Sequence, residues 1–395
     1  MIKELKLNNW KSYSEAKLYI DSLTFLIGTN ASGKSNILDA FIFLQRLASG
    51  ASVLSAVNGD TSYKELRGGV EWVTRKGQKS FSIEICVELN KKDYQYEIGF
   101  RKTEKGIEIE KEVLTGTRRL FWTTNNDTVD NPIIDVYFYT AKRGREKKLT
   151  VNRSYTTLSQ IDSLLVIKEV KEVALQINEL LKNIFILDPI PNHMRIYSKL
   201  SDQLMPDASN IAGVLAAIED EQRKTIEEKL TKYLKPLPEK DIDSVFVEKV
   251  GRFESDAMLY CIENWVQGEP IEVDARGMSD GTLRFLAIIT ALLLGKPNSL
   301  LIVEEIDNGL HPSRSENLVR VLKELSSERQ IDILCTTHNP VLINSIGNEM
   351  IPYISCVKRD DSSGASEIIL LEEVENLPKL MAVNSIGGLM TMGEI

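Results

Sequence analysis

Apolar and polar residues alternate along the first 27 positions around Trp10, ending in the apolar run Leu23-Thr24-Phe25-Leu26-Ile27. Alternation of this kind predicts strands, and the closing run predicts a buried one. From Asn36 to Leu44 the apolar spacing becomes helical. Residues 49–61 are small and polar and read as a loop. Strand-like segments follow at 69–74, 80–89, 94–100, 107–114 and 133–139, separated by short turns such as Asn90-Lys91-Lys92-Asp93. That rhythm predicts an antiparallel β-subdomain.

From about residue 162 the pattern changes. Ile167, Val170, Ala174, Ile177, Leu180, Leu181 and Ile184 recur near the helical period, and a second, charge-rich helix is predicted over 211–234, ending before Pro236. Strand patterns return at 244–250 and 258–265. The last ~120 residues then alternate helix and strand, with strands at 300–303 and 331–335, as in a parallel α/β sheet. Neither a repeat nor a sustained heptad is present, so no long coiled-coil arm is expected. The expected division is an N-terminal lobe over 1–160, a helical insertion over 161–240 and a C-terminal lobe over 241–395.

Composition narrows the class. The 395 residues are 43% hydrophobic and 27% charged, an ordinary globular balance, with a formal net charge of −9. An acidic chain is not a general nucleic-acid binder, so any DNA or RNA contact needs a local patch. Lys142, Arg143, Arg145, Lys147 and Lys148, followed by Arg153, form the candidate, to grip phosphodiester or an acidic partner; a solvated loop is the plainer reading. Cys86, Cys261, Cys335 and Cys356 lack metal-ligand spacing and read as buried thiols in a reducing compartment. No targeting signal opens the chain, and the longest apolar helix, 285–294, is too short to span a bilayer. A soluble cytoplasmic protein with no membrane partner is expected.

The chemistry begins at Gly28-Thr29-Asn30-Ala31-Ser32-Gly33-Lys34-Ser35, which fits the G-x-x-x-x-G-K-[ST] phosphate loop between a strand and a helix. Backbone N–H groups there close around phosphate oxygens at a positive helix N-terminus. Gly28, Asn30, Ala31, Ser32, Gly33, Lys34, Ser35 and Asn36 are the nucleotide-binding candidates. Lys34 is expected to reach the β- and γ-phosphates and Ser35 to bind Mg²⁺.

Three later motifs suit the other half of such a site. The run 300–303 ends in Glu304-Glu305, a Walker-B pattern in which Glu304 holds Mg²⁺ through water and Glu305 acts as general base; a solvated acidic turn is the alternative. Some twenty residues earlier, Ser279-Asp280-Gly281-Thr282 opens an apolar helix with good capping residues, as an anion site or an ordinary capped helix. The run 331–335 ends in Thr336-Thr337-His338, placing His338 to sense the γ-phosphate or attacking water, or as a structural cap. His311 suits a subunit-contact loop or a helix start.

The order of phosphate loop, long insertion, Ser-Asp-Gly signature, acidic strand, turn and switch histidine resembles the ABC-type ATPase heads of the SMC, RecF and OLD group. Thr24 to Asn36, Met278 to Arg284, Glu304 to Pro312 and Asp207 to Ala212 look closest to OLD-related prokaryotic AAA-family ATPases. The resemblance implies an α/β P-loop NTPase head with an antiparallel β-subdomain and a helical insertion. It implies a slow, regulatory ATPase using ATP and Mg²⁺, and a homodimer or higher oligomer. In that dimer the signature Ser279, Asp280, Gly281 and Thr282 faces the partner's phosphate loop. Glu304 departs from the usual aspartate and Ile306 from a common proline. Gln160, where the β-subdomain passes into helix, is the candidate Q-loop metal ligand. Only about 55 residues follow His338, too few for a TOPRIM nuclease, so the resemblance implies a separate effector protein in antiviral defence. A RecF- or SMC-like DNA-binding repair ATPase and a weakly hydrolysing scaffold are the alternatives.

Overall fold

Six strands build the sheet that carries the site. The computed structural model describes residues 1–117, 119–125, 131–139, 146–236, 242–266, 269–311 and 314–395. The strands run Ile184–Leu187, Leu300–Val303, Asp332–Thr337, Leu23–Ile27, Ile354–Arg359, Ser366–Leu370 across the sheet. The first five are mutually parallel and the last is antiparallel to its neighbour.

Alternate side chains of these strands enter two different cores, as a period of two requires. Phe25, Leu301, Val303 and Ile333 join the helices Asp280–Leu294 and Ser315–Arg329. Leu26, Leu300, Ile302 and Leu334 join the helices Lys34–Ala48 and Lys168–Lys182 and the inner face of a second sheet. Burial on both faces is why these strands read as continuous apolar runs.

The second sheet is an eight-stranded antiparallel one. Its order is Glu15–Tyr19, Ile2–Asn8, Ser80–Leu89, Lys92–Thr103, Gly106–Gly116, Arg119–Asn125, Ile133–Tyr139, Glu146–Asn152. Trp10, Phe43, Phe81 and Phe100 pack as an aromatic group between it and the first helix, with Phe81 and Phe100 stacked at 4.8 Å. A third sheet pairs Asp256–Val266 with Ile242–Val250 on one side and with Ser198–Lys199 and Glu269–Asp274 on the other.

Several local expectations change. The segment 69–74 is not a strand: Gly68 and Gly69 both take positive φ and start a helical turn, Gly69–Trp72. Within 49–61 the hydroxyl of Ser52 accepts from the Ser55 N–H and caps a short helix, Val53–Asn58. The region 211–234 is two helices, Ile211–Ala217 and Asp220–Leu234, broken where Ile218 turns extended. Ile184 does not end a helix; it begins the edge strand next to Leu300–Val303.

Candidate functional site

Parallel pairing aligns the carboxyl ends of the central strands, where ligands bind in such sheets. Val303 pairs with Cys335, and Thr337 with Ile27, so the acidic turn, the histidine turn and the phosphate loop lie side by side. Gly33 has φ +124, a conformation that disfavours any side chain, and a Cβ there would stand 2.4 Å from Ser366 Oγ. The Tyr13 hydroxyl donates to Gly33 O at 3.1 Å, and the Ser366 hydroxyl donates to Ser32 O. The loop is thus shaped from beneath by residues near both ends of the chain.

Lys34 is buried and donates to the carbonyls of Gly28 and Thr29 at 2.7 and 2.9 Å. Burial lowers its pKa, against the pull of the Glu305 and Glu304 carboxylates. Ser35 Oγ donates to Glu304 Oε1 at 2.6 Å. This hydroxyl and carboxylate are oxygen donors of the kind Mg²⁺ takes, with its remaining ligands drawn from phosphate and water. Among the described residues no group of three or more His, Cys, Asp or Glu could hold a metal ion.

Glu305 has φ 46, strained for a side-chain-bearing residue, and its N–H donates to Thr336 Oγ1 at 2.8 Å. His338 Nδ1 lies 3.6 Å from Glu305 Oε1, both side chains partly exposed. The Thr337 hydroxyl donates to buried Asp307 at 2.6 Å. Adjacent threonines therefore hold the acidic turn on both sides, and the strained backbone turns Glu305 toward the histidine.

Three residues that the sequence pattern did not mark complete this end of the site. Arg67 donates to Glu304 Oε1 at 3.1 Å, to Asp39 Oδ1 at 3.0 Å and to Ser35 O at 3.2 Å. Buried Asp39 also accepts from Lys11 at 2.6 Å. Burial opposes the Arg67 charge, but Asp39 and Glu304 outweigh it and raise the pKa. Asp188, just past the edge strand, is pushed up by burial and by repulsion from Glu304. No local motif marks these positions; only the fold brings them to Ser35 and Glu304.

Ser279 caps the signature helix, accepting from the Thr282 N–H at 3.1 Å, and is exposed together with Asp280. Gly281 is buried against the turn after the acidic strand, where a Cβ would meet Gly309 O at 2.7 Å. Thr282 Oγ1 accepts from Arg314 at 3.3 Å. Arg195 donates to Asp280 Oδ1 at 2.6 Å and to Met278 O at 2.9 Å. Among the described residues no hydrogen bond or ion pair joins Ser279, Asp280, Gly281 or Thr282 to the chain's own phosphate loop.

Gln160 is a correction. Its amide donates to the carbonyls of Asn152 and Tyr155, both at 3.0 Å, and its carbonyl oxygen accepts from the Asn152 N–H. That turn meets the segment just past the far end of the first helix, where Val53, the first residue of the next helix, donates its N–H to Ser154 O. Fifteen helical residues separate that end from Ser35 by roughly 20 Å, so Gln160 reaches no metal there. Asp188 occupies the strand end beside Glu304 instead. In the basic patch, Lys142, Arg143 and Arg145 lie outside the described residues. Lys148 is paired with Asp135 at 2.7 Å, and Lys147 donates to Leu165 O.

The fold is that of the ABC-type P-loop ATPase heads, with an antiparallel β-sheet beside the parallel one. The Smc head bound to the C-winged helix domain of ScpA matches at a TM-score of 0.53 and 15% identity, over 93% of this chain and 97% of that one. The SMC head domain from Thermotoga maritima (0.46, 13%, 93% and 98%) and the coiled-coil-extended Smc head from Pyrococcus furiosus (0.48, 14%, 96% and 99%) are also similar. No curated protein matches the chain. The chain belongs to the family described as "AAA domain, putative AbiEii toxin, Type IV TA system", whose model matches residues 23–344. No helix among the described residues is long and apolar enough to cross a membrane.

Proposed function

We propose that the chain is a cytoplasmic, ATP-hydrolysing switch that dimerises around ATP and controls a separate effector, nuclease or toxin, in prokaryotic antiviral defence of the OLD-like kind. The observation that carries the ATPase reading is the meeting of Ser35 with Glu304 at 2.6 Å beside the Glu305–His338 pair. Loop amides and Lys34 bind the β- and γ-phosphates, and Ser35 and Glu304 hold Mg²⁺, which neutralises phosphate charge. Glu305 takes the proton of the attacking water, with His338 beside it. The exposed Ser279 cap gives a second helix N-terminus for the γ-phosphate across a head-to-tail dimer. Nucleotide then bridges two subunits, and loss of the γ-phosphate loosens them.

The family description and the likeness to an Smc head bound by another protein's domain support control of a separate partner. Glu305→Gln is the test. Turnover falls by about 10²–10⁴-fold, and light scattering shows dimers accumulating with ATP; unchanged turnover rejects Glu305 as the base.

A further inference from the structure

A cleft of about 500 Å³ opens beside the phosphate loop, walled by Ser12, Asn36, Trp72, Arg75, Lys76 and Arg359 among others. It is continuous with the loop. Asn36 follows Ser35 and donates to Ser12 Oγ at 2.7 Å, while Arg359 Nε donates to Ala31 O at 3.0 Å. Arg75 donates to Ser12 O at 2.9 Å and Ser363 O at 3.3 Å. Arg75, Lys76 and Arg359 form no ion pair among the described residues, and no carboxylate lines the cleft.

Trp10 and Trp122 are wholly buried, whereas Trp72 is 61% exposed. Its position is nevertheless built. Gly68 has φ +84, and a Cβ there would stand 2.7 Å from Trp72 Cβ, so the indole stem packs over a bare Cα. The next residues are pinned to the N-terminal turn: Lys11 N–H donates to Val73 O at 3.0 Å, and Arg75 N–H to Asn9 O at 2.8 Å. An aromatic face held in place among uncompensated cations suits a ligand that is both flat and anionic.

We propose that this cleft seats the base and ribose of the nucleoside triphosphate, with the Trp72 indole as the stacking face for the base. The assignment rests on the ATPase reading above and adds the residue that recognises the nucleoside. Arg67 ties one end of the 67–76 segment to Glu304 and Ser35, and Trp72 stands farther along it. One stretch of chain thereby serves both ends of the nucleotide.

The test compares ATP with inorganic tripolyphosphate, which has no base, by titration calorimetry in Mg²⁺ buffer. In Trp72→Ala the ATP affinity falls about tenfold, tripolyphosphate affinity is unchanged, and Trp72→Phe recovers most of the loss. Equal weakening of both ligands, or none of ATP, overturns the proposal. Loss of single-stranded oligonucleotide binding with ATP affinity intact also overturns it, giving the cleft to nucleic acid. If the wild-type chain takes up neither ATP nor tripolyphosphate, the ATPase reading fails and the proposal with it.

Discussion

Ser35 and Glu304 stand 269 positions apart in the chain, yet a 2.6 Å hydrogen bond joins the hydroxyl of one to the carboxylate of the other. Glu304 Oε1 also accepts from Arg67, whose guanidinium reaches Asp39 and Ser35 O. Protein cations therefore brace the end of the site proposed above to hold Mg²⁺, and there the metal would share Glu304 with Arg67.

Glu304→Gln keeps the shape but removes the negative oxygen. Its Mg²⁺ requirement should rise and its turnover fall by about 10²-fold or more. A magnesium titration of phosphate release checks this. An unchanged titration midpoint would remove Glu304 from the metal site.

Asp280 puts a carboxylate in the first turn of the helix capped by Ser279, where it would compete with the phosphate proposed to dock at that positive helix end. Arg195, 2.6 Å away, offsets that charge. Arg195→Met should weaken ATP-dependent dimerisation about tenfold, and adding Asp280→Asn should restore it. Sedimentation with ATP gives the answer; a double variant as weak as the single one contradicts charge masking.

Burial pushes the Asp332 carboxyl up to about 6; the chain's N-terminal ammonium opposes this and Asp21 adds to it. Between about pH 4 and 6 the folded chain keeps a proton that the unfolded chain has lost. Stability therefore falls as pH rises through that window and stays lowered above it. Asp332→Asn should raise stability by about 1–3 kcal/mol at pH 7.5 and leave it unchanged at pH 4. Urea midpoints at the two pH values measure the difference.

Gly33→Ala combines a strained φ with a clash against Ser366. It should cost about 1–3 kcal/mol of stability and lose most ATP affinity. Ser366→Ala in the same chain removes the hydroxyl contact but leaves the residue-366 Cβ at 2.9 Å and the strained φ, so calorimetry should show only partial recovery.

The parallel strands were legible where burial on both faces leaves an uninterrupted apolar run, as at 23–27, 300–303 and 331–335. Ile184–Leu187 was not, because Ile184 keeps helical spacing from Leu181 and no glycine or proline separates helix from strand. Val70 and Trp72 imitate strand alternation, but the positive φ values of Gly68 and Gly69 make a helical turn instead. The phosphate loop and acidic turn carry their chemistry in consecutive residues and can be read locally. Arg67, Asp188 and Arg195 act on partners from distant segments, and only the folded chain brings them there.

The hydroxyl of Ser366 touches Ser12 and Ser32 at once. Its strand pairs with Ile354–Arg359, which covers one side of Leu23–Ile27. During synthesis the first 35 residues emerge early, but the hairpin that braces them arrives some 330 residues later. The growing polypeptide must therefore wait for residues 354–370 before the loop after Leu23–Ile27 is fully braced, so a turn made early is finished only by a segment made much later.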